Sequence, residues 1–428
     1  MEKRFQPLPW VNATNIYEVN VRQYSTEGTF IGFSRSLPRL KAMGVETLWF
    51  MPVTPISREK RQGTLGSYYA CADYTAINPE FGTLEDFRNL VQQAHRLGLK
   101  VIIDWVANHT GWDHPWTKAH PDYYKRNEHG QFYDPHGWAD VIDLDYSNAG
   151  LRQAMIESMK FWVRTCDIDG FRCDMAMLVP LDFWTQARAA VDSVKPLYWM
   201  AELDQLDNPD YLTVFDAAYT WTWMHTTQTF YQQHGPLSAL DSVLYAYNSK
   251  PPFDAMRLLF TSNHDENTWN GTEYEKYGDM ALPLAVFSCT WNGIPMIYSG
   301  QELPNHKRLK FFEHDPIEWG GGTPALQEFY HTLLTLHSRN PALRAGDSLV
   351  TTYRLHTTAD DKVFAFLRKR GDKEVLVYLN FSKDAVTFRL NDDWAVGAYT
   401  DAFTGRRSDV GRDRDVLLQP WGFTVMER

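Results

Sequence analysis

Residues 83–109 read TLEDFRNLVQQAHRLGLKVIIDWVANH, and this stretch decides the fold. Thr83 and Asp86 stand three apart ahead of a periodic apolar run, the pattern of a helix capping box. Phe87, Leu90, Val91 and Ala94 then fall on one helical face. Gly98 follows where a helix end favours a left-handed residue. After it, residues 101–106 (VIIDWV) form a near-continuous apolar run, as suits a strand buried on both faces of a parallel sheet. The strand ends among polar residues: Asp104, Asn108 and His109. A capped amphipathic helix leading into a buried strand with a polar tip is one unit of an α/β fold.

Working outward, the same unit recurs. Strands are predicted at residues 16–21 and 47–51, and again in DGFRCD, LYWMAE, FDAAYT, MRLLFTSN and PMIYSG. A helix over LRQAMIESMKFWV places Leu151, Met155 and Met159 on one side. Alternation with this count predicts a closed (β/α)8 TIM barrel. Residues 109–147 interrupt it after the third strand with a polar, aromatic stretch rich in His, Asp and Pro. Long excursions of this kind in compact domains are usually functional. Beyond about residue 345 the period changes to two. VFAFLRKRGDKEVLVYLNF turns at Gly371-Asp372, and AVTFRL and GFTVME follow. The expected organisation is a catalytic barrel over 1–344, including the inserted excursion 109–147, and a C-terminal antiparallel β-sandwich over 345–428 packed against it.

The composition narrows the function. A chain of 428 residues with 44% apolar residues is a globular protein large enough for two cores. A formal net charge of -11 disfavours nucleic acid and anionic membranes as partners, and says nothing against a neutral ligand. The four cysteines form no zinc-type spacing. The N-terminal residues lack the apolar core of a secretory signal, and no apolar run is long enough to span a bilayer. A cytoplasmic enzyme with no organic cofactor is the expectation; no oligomeric state follows.

Polar clusters end several predicted barrel strands, where barrel active sites lie. DWVANHT carries Asp104, Asn108 and His109. GFRCD carries Arg172 and Asp174, AELD carries Glu202, and NHDEN carries Asn263, His264 and Asp265. With VIIDWVANH, VIDLD, GFRCD, MAE and FTSNHD in this order, and with IYEVNVRQYS and GSYYACADYTAINPEFGT, nearly the whole chain resembles the α-amylase family of glycoside hydrolases (family 13, retaining).

The resemblance implies Asp174 as nucleophile, Glu202 as general acid/base and Asp265 as the third carboxylate, fixing sugar hydroxyls. Retaining chemistry needs two carboxyl groups about 5–5.5 Å apart. Arg172, two residues before Asp174, points to the same side of its strand and can orient the carboxylate. The expectation is an ionised Asp174 and a Glu202 whose proton affinity is raised by neighbouring carboxylates. His109 and His264 match sugar-binding histidines. Asp104 matches a residue acting through Arg172. Tyr69 matches a ring that stacks on the sugar, with Tyr68 as the competing assignment. A structural Ca²⁺ is implied at Asn108 and Asp143, with a third donor from a backbone carbonyl just past the nucleophile, where this chain has Met177 and Leu178. Met177 and Leu178 make the leaving side more apolar than is usual, and Met175 is neither the small residue nor the valine common at its position. Trp112, Trp116, Trp138, Trp221, Trp223 and Trp269 are candidates for ring stacking.

The implied activity is retaining hydrolysis of α-glucosidic, expected α-1,4, bonds in malto-oligosaccharides or α-glucans. A transglycosylase or sugar isomerase, such as a glucanotransferase or a trehalose-forming enzyme, would use the same residues. An inactive sugar-binding relative would be expected to have lost a carboxylate, and all three are present.

Overall fold

The computed structural model describes residues 4–428. Eight parallel strands close into a barrel: β1 (Ile16–Val19), β2 (Thr47–Phe50), β3 (Lys100–Trp105), β6 (Gly170–Cys173), β7 (Tyr198–Asp204), β8 (Ala217–Tyr219), β9 (Met256–Leu259) and β10 (Ile294–Tyr298). Each follows its predecessor around the ring, and β10 closes on β1 with Ile16 opposite Met296 and Glu18 opposite Tyr298. Two further strands, β4 (His109–Gly111) and β5 (Val141–Asp143), belong to the excursion.

Strand alternation divides the apolar residues between two cores. Ile16, Trp49, Ile102, Tyr198, Met200, Ala217, Leu258 and Met296 share one cluster, which fills the barrel. Their neighbours in sequence, among them Tyr17, Leu48, Phe50, Val101, Ile103, Phe171 and Trp199, belong to the larger cluster that includes the surrounding helices. Residues in phase with the interior change character along each strand. Ile16 gives way to Glu18, Ile102 to Asp104, Gly170 to Arg172, and Met200 to Glu202. The same period that fills the lower barrel with hydrocarbon therefore aims charge into its C-terminal mouth.

The helix Leu84–Arg96 has its capping box: Asp86 N donates to Thr83 Oγ1 at 3.1 Å, and Thr83 N donates to Asp86 Oδ2 at 2.8 Å. Such caps are each worth about 1 kcal/mol. Phe87, Leu90, Val91 and Ala94 are its buried face, and Gly98 takes φ 76° just past the end. Leu151, Met155 and Met159 are likewise buried on the helix Ala149–Cys166.

The excursion is more ordered than its polar composition indicated. β4 and β5 pair antiparallel with His109 opposite Asp143, so its first and last segments return to one place at the barrel mouth. Among the described residues no helix is long and apolar enough to cross a membrane.

Beyond the barrel, β11 (Thr351–Leu355), β12 (Val363–Arg370), β13 (Lys373–Asn380), β18 (Phe423–Glu427), β15 (Gly397–Asp401) and β16 (Arg407–Val410) form an antiparallel sheet in the order 11-12-13-18-15-16. A second ribbon of β14 (Val386–Phe388) and β17 (Val416–Leu418) completes the antiparallel domain. The β12–β13 hairpin turns at Gly371-Asp372, with Arg370 opposite Lys373 and Gly371 at φ 62°. One face meets the barrel: Phe364 and Phe366 pack on Phe287 and Trp291 at ring separations of 4.9–6.0 Å.

Candidate active site

The charged residues aimed upward by the strands meet in one cavity of about 560 Å³. Its walls include Tyr69, His109, Asp174, Met175, Glu202 and Asp265. Asp174, Glu202 and Asp265 reach it from three different strand ends, which no run of local sequence could bring together.

Arg172 is the hub beneath them and is fully buried. Its Nη1 donates to Asp104 Oδ1 at 2.8 Å and to Asp174 Oδ1 at 3.1 Å. Nη2 lies 2.8 Å from Glu202 Oε2 as an ion pair, without the alignment of a hydrogen bond. Nε donates to Tyr219 Oη at 3.2 Å, and the guanidinium sits 4.8 Å from the Trp49 ring centre. The arginine is thus fixed from below by aromatic faces and from above by three carboxylates.

Burial, and then the neighbouring Glu202 carboxylate, push the Asp174 carboxyl well above the ordinary range, with Arg172 pulling the other way. The sequence reading expected the raised proton affinity on Glu202; in the substrate-free geometry the upward shift falls on Asp174. Both carboxyl groups converge on the same guanidinium, Asp174 at 3.1 Å from Nη1 and Glu202 at 2.8 Å from Nη2. Met175 follows in a left-handed conformation, φ 40° and ψ 46°, which a long unbranched side chain adopts only at a cost. The turn directs its N–H to Glu202 Oε2 at 3.0 Å and its side chain into the cavity wall.

Tyr69, not Tyr68, faces the site. Its hydroxyl donates to Asp104 Oδ2 at 3.0 Å and lies 2.8 Å from His264 Nε2. Tyr68 is buried against Phe311, with its hydroxyl on Asn20. His109 lines the cavity, and burial pushes its imidazole down to about 3, so it stays neutral. His264 does not line the cavity and is 1% exposed. Its Nδ1 pairs with Glu18 Oε1, and its Nε2 lies 3.3 Å from Asp265 Oδ2. Burial opposes charge on this ring, yet Asp265 and Glu18 outweigh it and raise its pKa well above the usual value. Burial likewise opposes charge on Asp265, but His264 and Arg172 hold its pKa below the ordinary range. In the free protein His264 therefore contacts protein groups and braces Tyr69 and Asp265 from behind.

Asn108 and Asp143 come together as the calcium expectation required, but not as cation donors. Asn108 Nδ2 donates to Asp143 Oδ1 at 3.2 Å, and Lys125 Nζ donates to Asp143 Oδ2 at 3.0 Å. Both carboxylate oxygens are committed. The carbonyl of Met177, next in line as a third donor, accepts from Tyr211 Oη at 3.2 Å. Hard cations need six to eight converging oxygens; an amide nitrogen and an ammonium occupy these directions instead. The donor set does not fit calcium.

Of the tryptophans, Trp138 and Trp269 line the cavity. Trp112 lines a neighbouring groove, Trp116 packs on Tyr123, Trp221 on Tyr219, and Trp223 on Phe287. The sequence reading missed Gln62, Asp140, Phe311 and Phe312 on the wall, and Glu18 beneath it. Glu18 had a legible signal: an acid inside the apolar strand IYEV. Phe311 and Phe312 had none, since an aromatic pair in a loop reads equally well as packing.

Residues 12–139 and 123–319 match the family model for the alpha amylase catalytic domain, and residues 353–425 match that for the maltogenic amylase C-terminal domain. The alpha-amylase MalA of Haloarcula japonica is 26% identical over 426 residues, covering 96% of this chain and 61% of that protein, so the chain spans about three fifths of its length. Alpha-amylase 3 of Dictyoglomus thermophilum is 24% identical over 460 residues, covering 90% of this chain and 88% of the relative. Among solved structures, the noncanonic maltogenic alpha-amylase AmyB of Thermotoga neapolitana is 28% identical with a TM-score of 0.88, covering 97% of this chain and 99% of its own. An alpha-amylase of Lactobacillus plantarum is 29% identical with a TM-score of 0.86 over the same shares. The catalytic-domain match covers well over half of the chain, and the closed barrel and carboxylate cluster accord with it: the chain belongs to the alpha-amylase family of glycoside hydrolases.

Proposed function

We propose that this enzyme hydrolyses α-1,4-glucosidic bonds of malto-oligosaccharides or α-glucans with retention of configuration. The observation that carries the reading is the pair of carboxyl groups, Asp174 and Glu202, that converge on Arg172 in a cavity that Asp265 also faces. Asp174 attacks the anomeric carbon while Glu202 protonates the departing oxygen; Glu202, now ionised, takes a proton from water as it opens the glycosyl ester. Arg172 keeps the nucleophile aimed, and the left-handed turn at Met175 holds Glu202 through its N–H. Asp265, kept ionised by protonated His264, serves sugar hydroxyls and the positive charge that develops on the ring. Tyr69 and His109 are the sugar contacts of the reacting subsite. A cytoplasmic location belongs to this reading, supported by four buried cysteines without disulfides.

Chromatography of products from soluble starch, maltotriose, isomaltose, trehalose and sucrose tests the activity. Shorter maltose-series products alone are expected. Longer or rearranged products would move the assignment to a transglycosylase, in which the apolar wall of Met175, Phe311 and Phe312 would shield the intermediate from water. No turnover of any of the five would refute both.

The two roles also set a pH dependence. At acid pH Asp174 is protonated and the nucleophile is lost. At alkaline pH the general acid is lost. Because burial and charge repulsion raise Asp174, which must be ionised to attack, the acid limb is expected above the ordinary carboxylate range. A kcat/KM that stays flat from acid to alkaline pH contradicts the pair.

A further inference from the structure

The buried Asp143 carboxylate stands where the family resemblance placed a divalent ion. We propose that Lys125 supplies the cation from within the chain, so that its ammonium, not a metal, ties the excursion to the barrel mouth and positions His109.

Asp143 has no solvent-exposed side chain, and burying its charge without compensation would be costly. Lys125 Nζ meets Oδ2 at 3.0 Å, and the Lys125 backbone N–H donates to the Asp143 carbonyl at 3.0 Å. Backbone pairing therefore places the lysine beside its partner, independently of the charge. Oδ1 accepts from Asn108, whose same nitrogen lies 3.1 Å from His109 Nδ1. A continuous path thus runs from the ammonium through Asp143 and Asn108 to a ring on the substrate cavity. Asp134 and His136 lie near enough to Asp143 for the three to form a metal-like cluster. An ion bound there would sit beside the ammonium or have to displace it, and the like-charge repulsion disfavours that. Lys125 acts through other residues and is a positioning residue, distinct from the carboxylates that do the chemistry.

Thermal unfolding of the full protein, in chelator and in millimolar calcium chloride, tests the proposal without any sugar. The two melting temperatures are expected to coincide; a fall in chelator that calcium reverses overturns the proposal. Lys125→Met keeps the aliphatic stem and removes the charge. It is expected to melt about 2–4 °C lower and to lose about tenfold in kcat/KM, the equivalent of one charged hydrogen bond, mainly through KM. Lys125→Arg is expected to recover most of both. A Lys125→Met protein that behaves as the parent, or a Lys125→Arg protein that loses as much, also overturns the proposal. The kinetic arm rests on His109 contacting sugar, whereas the melting arm does not, so failure of the functional reading leaves the cation test intact.

Discussion

Asp174→Asn is expected to lower kcat/KM on malto-oligosaccharides by on the order of 10⁴-fold or more, because no other group can form the glycosyl ester. The amide is nearly isosteric and can still accept from Arg172 Nη1, which lies 3.1 Å from the carboxylate oxygen it replaces. The fold should therefore survive. Removing one of two buried, mutually repelling carboxyl groups should leave the melting temperature unchanged or raise it. Loss of activity together with retained stability marks a chemical role. Glu202→Gln is expected to cost about 10²–10⁴-fold for a natural glucoside, and much less for a substrate whose leaving group departs without protonation. An Asp174→Asn protein with parental kinetics would end the mechanism proposed here.

The second large effect is on stability. Arg172→Met removes the positive charge shared by Asp104, Asp174 and Glu202, all within 3.1 Å of the guanidinium. The pair of methionine and buried carboxylates has no compensation, and breaking a buried ion pair on one side typically costs about 3–5 kcal/mol. Against a typical total of roughly 5–15 kcal/mol, that is a large fraction of what keeps a domain folded. Urea unfolding followed by tryptophan fluorescence measures it. Arg172→Lys restores charge but not the planar fork, and should fall between the two. An unchanged unfolding midpoint for Arg172→Met would mean that the three carboxylates are protonated or solvated, contrary to the arrangement described.

The barrel was legible because each of its parts has a local cause. The capping box at Thr83, the helical face of Phe87 to Ala94 and the run VIIDWV are all short-range patterns, and the period-two change from Ile102 to Asp104 survives in the structure as inside apolar, mouth charged. What was hidden depends on distant segments meeting. The antiparallel ribbon of β4 and β5 joins residues more than two dozen positions apart within a polar stretch. The left-handed Met175 has no signal, because methionine carries no preference for that region. Lys125 had none either: a lysine in a loop reads as solvated until Asp143 is found beside it. Asn108 and Asp143, which the resemblance paired through a metal, meet directly at 3.2 Å, a contact that their separation in sequence gives no sign of.

The closure of β10 on β1 has a consequence for how activity arises as the chain folds. Strands meeting there come from opposite ends of the catalytic domain, Ile16 against Met296, and such distant pairing is slow because so much chain must be gathered first. The same seam carries groups that support the site: Glu18, on β1, braces His264, and Ser299, just past β10, donates to the Glu18 carbonyl at 2.6 Å. Helices and neighbouring strands can therefore form in advance, while Glu18 takes its final position only when the ring shuts. During refolding from denaturant, the recovery of turnover should lag behind the recovery of helical circular dichroism, and until closure two unpaired strand edges stay open to association with other chains.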